Sequence, residues 1–261
     1  MMKEAVNSKD FLKTLDRGLA VINAFDGDTP RMTLSEVARK TNMSRASARR
    51  FLLTLESLGY ILKIDDSFQL TAKILEIGHQ YLSNLNFIEV ISPFMREVSR
   101  KLYKACSASI LHETEIVYVA RIPSQYQILS VNLNIGSRLP AYCTSMGRIL
   151  LTKLNAKELD EYFLKAELVK YTSHTISDTG RLKDVIARAA KEGYCIVNQE
   201  LEENLCSVAV PVRNFEGKVL CALNVGMPVG QVKKREIISD YLPALKEAAA
   251  RAESILAHHP E

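Results

Sequence analysis

Two helical segments joined by a four-residue turn constrain the fold of this chain more than any other feature of its sequence. The segment TLSEVARKT begins with Thr33, and Glu36 follows three residues later, a spacing that predicts a capping box at a helix start. After the turn TNMS, Ser44 is a favourable N-cap and Gly59 a favourable stop for a second helix. A turn this short is typical of a helix-turn-helix, in which the two helices cross at a steep angle.

The second of these helices has an apolar side and a cationic side, since a helix turns about 100° per residue. The apolar stripe comprises Ala48, Phe51, Leu52, Leu55 and Leu58. The opposite side carries Arg45, Ala46, Arg49 and Arg50. From Arg39 to Arg50 there are five cations and no acid. The pattern predicts a helix that packs through one side and meets an anion with the other.

The flanking segments predict a winged helix-turn-helix. DFLKTLDRGLAVINAF has helical spacing, and YILKI and FQLTA flank DDS as a short β-hairpin. In such a fold the start of the second helix reaches base edges in the major groove, where arginine can bind guanine, while other cations contact phosphates. The predicted DNA-binding residues are Lys40, Thr41, Ser44, Arg45, Ala46, Ser47, Arg49, Arg50 and Lys63.

The second half of the chain alternates strand and helix patterns, which predicts an α+β domain with a largely antiparallel sheet. Strand patterns occur in ASILHETEIVYVARI, QILSVNLNIG and CSVAVPVRNFEGKVLCALNVG, and helices are predicted at 146–153, 156–166, 180–192 and 243–257. From 72 to about 92 the pattern stays helical, and Ser92-Pro93 predicts a fresh helix start. The predicted domains are therefore 1–74, a linker helix at 75–91, and 92–261.

Composition excludes several other classes of protein. A net charge of +4 is too small for a protein that coats a polyanion, and no run of about 18 apolar residues is present to span a membrane. Five cysteines, an odd number with no C-x-x-C spacing, argue against a disulfide framework and a structural zinc site. The N-terminus has no apolar signal core. We expect a cytoplasmic protein with no metal and no cofactor.

Several segments resemble signatures of the IclR family of bacterial regulators. MTLSEVARKTNMSRASARRFLLTLESLGY resembles the family's DNA-binding domain. LPAYCTSMGRILL, KEGYCIVNQELEENLCSVAVPV and GKVLCALNVG resemble successive signatures of its effector-binding domain. PRMTLSEVARKT, SRASARRFLLTL and AYCTSMGR are most similar to the Pca/Pob branch, which controls aromatic-acid breakdown through the β-ketoadipate pathway. The resemblance covers nearly the whole chain.

The resemblance implies a winged helix, a linker helix and a GAF-like effector domain. It implies a homodimer or a dimer of dimers, paired through the N-terminal domains, that binds pseudo-palindromic operators in double-stranded DNA. Members of this branch often activate transcription, with RNA polymerase as a further partner. The implied function is a regulator of aromatic-acid catabolic genes that binds a small organic acid. Protocatechuate, 4-hydroxybenzoate and β-ketoadipate all suit the branch.

The resemblance also implies which residues meet the effector. They are Thr144, Ser145 and Met146 in the loop CTSMG, together with Val197, Ser207, Asn224 and Gly226. Family members that bind very small keto acids carry an acid, a cysteine and serines at the last four positions. Their replacement here predicts a less polar pocket that admits a ring or a longer chain. Arg121, Arg138 and Arg148 are candidates to bind the effector carboxylate in a two-pronged geometry.

Three alternatives stay open at this stage. The chain could repress another catabolic operon in response to a small keto acid, or its winged helix could serve protein contacts alone. An enzyme is a further alternative, because Cys143, Ser145, His112 and His174 are residue types used in nucleophilic catalysis. However, CTSMG is not the G-x-S-x-G of a nucleophile elbow. We therefore predict no catalytic residues.

Overall fold

The structure, a computed structural model, describes residues 11–83, 85, 87–124 and 133–257. The chain divides into two compact units, Met1–Asn84 and Leu85–Glu261, and each is described by itself. The division predicted from the sequence, with a separate linker over 75–91, remains a prediction. In the described part of the chain, no helix is long and apolar enough to cross a membrane.

The N-terminal unit is a winged helix-turn-helix, as predicted. Its elements in order are α1 (Lys13–Asn23), β1 (Met32–Thr33), α2 (Leu34–Lys40), α3 (Arg45–Ser57), β2 (Ile61–Ile64), β3 (Ser67–Leu70), a 3₁₀ turn (Ala72–Ile74) and α4 (Leu75–Ser83). The strands form an antiparallel sheet in the order β1-β3-β2. The short strand β1 adds a third strand to the predicted hairpin. Because β1 is only two residues long, no strand pattern in the sequence could predict it.

Side-chain caps set the ends of the two central helices. The Thr33 N–H donates to Glu36 Oε2 at 2.7 Å, and the Glu36 N–H donates to Thr33 Oγ1 at 3.4 Å, which completes the predicted capping box. Ser44 Oγ accepts from the Ser47 N–H at 3.2 Å. Gly59 has a φ of +79° and follows the end of α3, so its lack of a side chain lets the chain leave the helix without strain.

The apolar stripe of α3 packs in the core of this unit. Ala48, Leu52 and Leu55 are buried among residues of α1, α2 and the sheet. Leu58 is instead 53% exposed, at the C-cap position that follows the last residue of α3. The prediction that Leu58 belongs to the core is therefore wrong.

The C-terminal unit is built around one sheet. In chain order, its elements are α5 (Phe87–Leu102), β4 (Cys106–His112), β5 (Glu115–Ile122), β6 (Arg138–Pro140), α6 (Ser145–Leu151), α7 (Ala156–Lys165), α8 (Thr179–Glu192), β7 (Cys195–Asn198), β8 (Leu205–Arg213) and β9 (Val219–Pro228). A short helix α9 (Lys234–Glu236) continues through a π-helical turn (Ile237–Tyr241) into α10 (Leu242–Leu256). The sheet order is β6-β5-β4-β9-β8-β7, with every neighbouring pair antiparallel. The predicted α+β class is confirmed.

Two helical layers cover this sheet. Helices α5 and α10 pack on each other and contact the central strands. Helix α6 contacts β4, β7, β8 and β9, and it shares a core with α8 and with Ala209 and Ala222 of the sheet. The start of α6 thus lies directly over the centre of the sheet.

The helical pattern before this sheet differs from the prediction. Leu85 is not helical, so the segment from 72 to 92 is not one helix. Helix α5 begins at Phe87, before the predicted start at Ser92-Pro93, and Pro93 lies inside it. The loss of one backbone hydrogen bond at Pro93 is tolerated, because α5 buries an apolar face that includes Ile91, Phe94 and Met95. Most of the strand predicted at 127–136 lies outside the described residues.

The close approach of α6 to the preceding loop generates the first prediction. A Cβ on Gly147 would lie 2.1 Å from the backbone oxygen of Ala141. We expect Gly147→Ala to lower the free energy of unfolding by about 3 kcal/mol or more, because backbone cannot move aside as a flexible side chain would. Chemical denaturation measures the loss.

A matched control is Ala187→Gly, an exposed position in the middle of α8. We expect this substitution to lower the free energy of unfolding by only about 1 kcal/mol, because only helix propensity changes. An equal and small loss in both variants would contradict the steric account of Gly147.

Candidate functional site

The exposed side of α3 presents the predicted cations. Arg45, Ala46, Arg49 and Arg50 are exposed, whereas the buried stripe faces the core. No ion pair within the described residues neutralises the three arginines. Ser44 is exposed at the N-cap, and Ser47 is half-buried one turn later. This side of α3 can therefore contact an anionic surface without first losing an internal partner.

The other residues predicted to bind DNA have varied surroundings. Lys63 is exposed on β2, in the wing. The Thr41 hydroxyl donates to the Val37 carbonyl at 2.7 Å. Lys40 donates to Asp26 Oδ2 at 2.6 Å, a bond that holds the pKa of the Asp26 carboxyl below its usual value. Lys40 is thus already paired, unlike the arginines of α3, so its availability for a phosphate is reduced.

A cavity in the C-terminal unit collects most residues predicted to meet an effector. Its lining includes Thr144, Ser145, Met146, Val197, Ser207, Asn224, Gly226 and Arg121. The sequence analysis missed Ala105, Ser107, Tyr118, Leu133, Leu139, Cys143, Leu201 and Leu205, which line it as well. Strand register explains part of the set, because Ser207 pairs with Gly226, and Asn224 pairs with Ser107. Paired residues lie on the same face of a sheet.

Hydroxyl groups, the Asn224 carboxamide and one arginine supply the polarity of this cavity. Ser207 Oγ donates to Ser145 Oγ at 2.9 Å, and Arg121 Nη1 donates to Ser107 Oγ at 3.0 Å. Among the described lining residues there is no acid, so Arg121 keeps its charge uncompensated there. Burial raises the pKa of Tyr118 to about 12, so its hydroxyl is neutral and can donate a hydrogen bond. Apolar walls with one cation and several hydroxyls suit a small organic anion.

Arg138 and Arg148 are not brought to the cavity. Arg138 is exposed, and its Nε donates to Glu115 Oε2 at 2.7 Å. Its Nη2 lies 3.0 Å from His112 Nδ1. Arg148 is buried and forms two hydrogen bonds to Glu200. Both side chains have structural partners, so the prediction that they bind the effector is not supported by their positions.

The residues weighed for catalysis are dispersed. Cys143 and Ser145 line the cavity, but neither His112 nor His174 is among its described lining residues. Burial raises the pKa of the Cys143 thiol to about 12, an effect that nearby Arg148 only partly opposes. Because the thiolate is the reactive form, Cys143 is a poor nucleophile at neutral pH. No cluster of three or more His, Cys, Asp or Glu suited to a metal occurs in the described part of the chain.

A winged helix-turn-helix with an exposed cationic helix, followed by a domain with an anion-compatible cavity, defines a DNA-binding transcriptional regulator with an effector domain. Residues 14–64 match the family model for the IclR helix-turn-helix domain, and residues 79–254 match that for the bacterial transcriptional regulator IclR C-terminal domain. The chain belongs to the IclR family.

Relatives place the chain near regulators of aromatic-acid metabolism. It is 40% identical to the Pca regulon regulatory protein of Pseudomonas putida over 92% of this chain and 82% of that protein. It is 32% identical to the p-hydroxybenzoate hydroxylase transcriptional activator of Acinetobacter baylyi, over 94% of this chain and 92% of that one.

A solved structure of an inducer-binding domain is also similar. It is a double mutant of the PobR transcription factor from Acinetobacter, in complex with 3-hydroxybenzoic acid. The match has a TM-score of 0.60 and 29% sequence identity, and it covers 64% of this chain and 97% of that one.

The surroundings of Cys143 generate a prediction about thiol reactivity. All five cysteines are buried, and burial raises the pKa of Cys143 to about 12. We expect iodoacetamide at pH 8 to label the native protein at less than about a hundredth of the rate of the unfolded protein, because the thiolate fraction is small and access is blocked. Mass spectrometry of tryptic peptides measures the labelling. Rapid native labelling of Cys143 would contradict this account and revive a nucleophilic role.

Proposed function

We propose that the chain is a cytoplasmic, ligand-responsive regulator of aromatic-acid catabolic genes. The observation that carries the proposal is the cavity around Arg121, whose single cation, hydroxyls and apolar side chains suit the chemistry of a small organic acid. The similarity to regulators named for the Pca regulon and for p-hydroxybenzoate hydroxylase supports the aromatic branch. The complex of a related domain with 3-hydroxybenzoic acid supports a hydroxylated aromatic acid such as 4-hydroxybenzoate or protocatechuate, with β-ketoadipate as a further candidate.

In this proposal, α3 lies in the major groove. Ser44, Arg45, Ala46 and Ser47 face base edges, and Arg49, Arg50, Thr41 and Lys63 contact the backbone, with Lys40 contributing only after it releases Asp26. A small residue at Ala46 permits a close approach of the helix to the bases. Phosphate contacts would release counterions, so affinity should fall steeply as salt rises. A winged helix used only for protein contacts would show little salt dependence.

The working form would be a homodimer or a dimer of dimers on a pseudo-palindromic operator. Helix α1 supports a dimer surface, because apolar side chains near it stay exposed, namely Phe11, Leu12, Leu15 and Leu19.

We propose that residues 75–91 connect the DNA-binding and effector domains and transmit the effect of the ligand. The ligand can shift operator binding only by its differential affinity for the two states of the protein. Activation through RNA polymerase is the favoured outcome, and repression in response to a small keto acid is the alternative.

A non-enzymatic role fits the chemistry of the cavity. The relatives are named as transcriptional regulators, and the cavity combines a protonated thiol with hydroxyls that bond to each other rather than to a base. A nucleophile of acyl transfer needs an adjacent base within hydrogen-bond reach. The effector would therefore bind and leave unchanged.

Arg45→Ala tests the DNA-binding helix. We expect specific operator affinity to fall by about 1–3 kcal/mol and base preference to relax at one operator position, because Arg45 would donate to a guanine edge. Binding to a library of operator variants measures both effects. Arg31→Ala is a control, because Arg31 is outside α3 and its Nε donates to the Gln69 side chain. An equal loss on all sequences would make Arg45 a phosphate contact instead.

Arg121→Met tests the anion site of the cavity. A charge-assisted hydrogen bond contributes about 1.5–3 kcal/mol, so we expect the Kd for 4-hydroxybenzoate or protocatechuate to rise by roughly tenfold to hundredfold. Isothermal titration calorimetry on the full chain measures the change. Arg138→Met is the matched control, because this arginine is also near the sheet edge but pairs with Glu115. Unchanged binding by Arg121→Met, or an equal loss in both variants, would remove Arg121 from the site.

A further inference from the structure

A buried ion pair joins two segments that contribute residues to the effector cavity. Arg148 Nη1 and Nη2 donate to Glu200 Oε1 and Oε2 at 2.7 and 2.6 Å. Arg148 is 2% exposed and Glu200 is 6% exposed. The two parallel bonds form a planar, two-pronged pair, which restricts both the distance and the orientation of the groups that carry it.

Each partner is also bonded to the backbone of another segment. Arg148 Nε donates to the Tyr142 carbonyl at 2.8 Å, and Glu200 Oε2 accepts from the Ile176 N–H at 3.0 Å. The Tyr142 hydroxyl donates to the Val169 carbonyl at 2.5 Å. The pair is therefore the centre of a buried network that links the loop before α6, the end of β7 and the segment 169–176.

The chain positions of these residues connect the network to the cavity. Arg148 lies in α6 two residues after Met146, and Tyr142 immediately precedes Cys143. Both Met146 and Cys143 line the cavity. Glu200 lies between Val197 and Leu201 in sequence, and these two residues also line the cavity. The pair thus joins two segments that both contribute residues to the lining of the cavity.

The wall beside Glu200 is held in an unusual backbone conformation. Gln199 has a φ of 62°, in the left-handed region that non-glycine residues seldom adopt. Its carbonyl accepts from the Thr172 hydroxyl at 2.6 Å, and the Glu200 carbonyl accepts from the Thr175 hydroxyl at 2.6 Å. Such a conformation persists where surrounding bonds over-determine it, and these bonds, together with the ion pair, do so.

A contribution to folding stability does not by itself explain the Arg148–Glu200 ion pair. Burying two charges costs solvation, and well-packed apolar residues of similar volume often stabilise a protein as well or better. What apolar residues cannot supply is a fixed orientation between two backbone segments. The geometry therefore favours a role in shaping the cavity.

We propose that Arg148 and Glu200 are positioning residues for the effector. The pair sets the separation between the wall of Thr144–Met146 and the wall of Val197–Leu201, and in this way it determines the affinity for the acid. Neither side chain touches the ligand. The inference rests on the proposed effector function and deepens it.

Arg148→Lys tests the role, because lysine keeps the charge and loses the two-pronged geometry. The matched control is Leu245→Ala, a fully buried position on α10, which contacts the sheet through β8 and does not line the cavity. Isothermal titration calorimetry with 4-hydroxybenzoate, protocatechuate and β-ketoadipate, on full-length chains well below their Tm, gives the Kd of each acid. Thermal denaturation gives the stability loss of each variant.

We expect Arg148→Lys to raise Kd at least tenfold, while Leu245→Ala lowers Tm by a similar or larger amount and keeps Kd within about twofold of the wild type. Wild-type affinity in Arg148→Lys would overturn the positioning role alone. The positioning role would also be overturned if both variants lost affinity in proportion to their loss of Tm. If the wild type binds neither acid nor β-ketoadipate, the proposed effector function fails, and the positioning role falls with it.

Discussion

The register of three central strands is the constraint on which the C-terminal unit depends. With Ser207 opposite Gly226 and Asn224 opposite Ser107, polar and small side chains lie side by side on the face that meets the start of α6. If the pairing of any of these strands shifted by one residue, its cavity-facing side chains would point to the opposite face of the sheet. Gly147 lets α6 approach the backbone of the preceding loop at Ala141, where a side-chain Cβ would not fit.

The N-terminal unit uses a simpler device. Caps at Thr33 and Ser44 set the two ends of the turn between α2 and α3, and the buried stripe of α3 orients its arginines outward. The cations need no internal partner, because their expected partner is DNA. Arg148 differs from these arginines, because its charge is buried and paired with Glu200, whereas the arginines of α3 are exposed.

Local features were predictable from the sequence, and long-range pairings were not. The capping box, the positive φ of Gly59 and most helix bounds depend on residues a few positions apart. The cavity residues near Ser145 and Asn224 were reached through a family resemblance. Arg138 and Arg148 were assigned to the ligand because their partners, Glu115 and Glu200, lie 23 and 52 positions away in sequence. Ser107 and Tyr118 become visible as lining residues only once the strand register is known.

A crystal structure of the protein with 4-hydroxybenzoate or protocatechuate would test the central claim most directly. The account predicts that the carboxylate lies within hydrogen-bond distance of the Arg121 guanidinium, with the ring between Met146 and Val197, and that Arg148 stays paired with Glu200. An acid bound outside this cavity, or inside it with its carboxylate away from Arg121, would contradict the account.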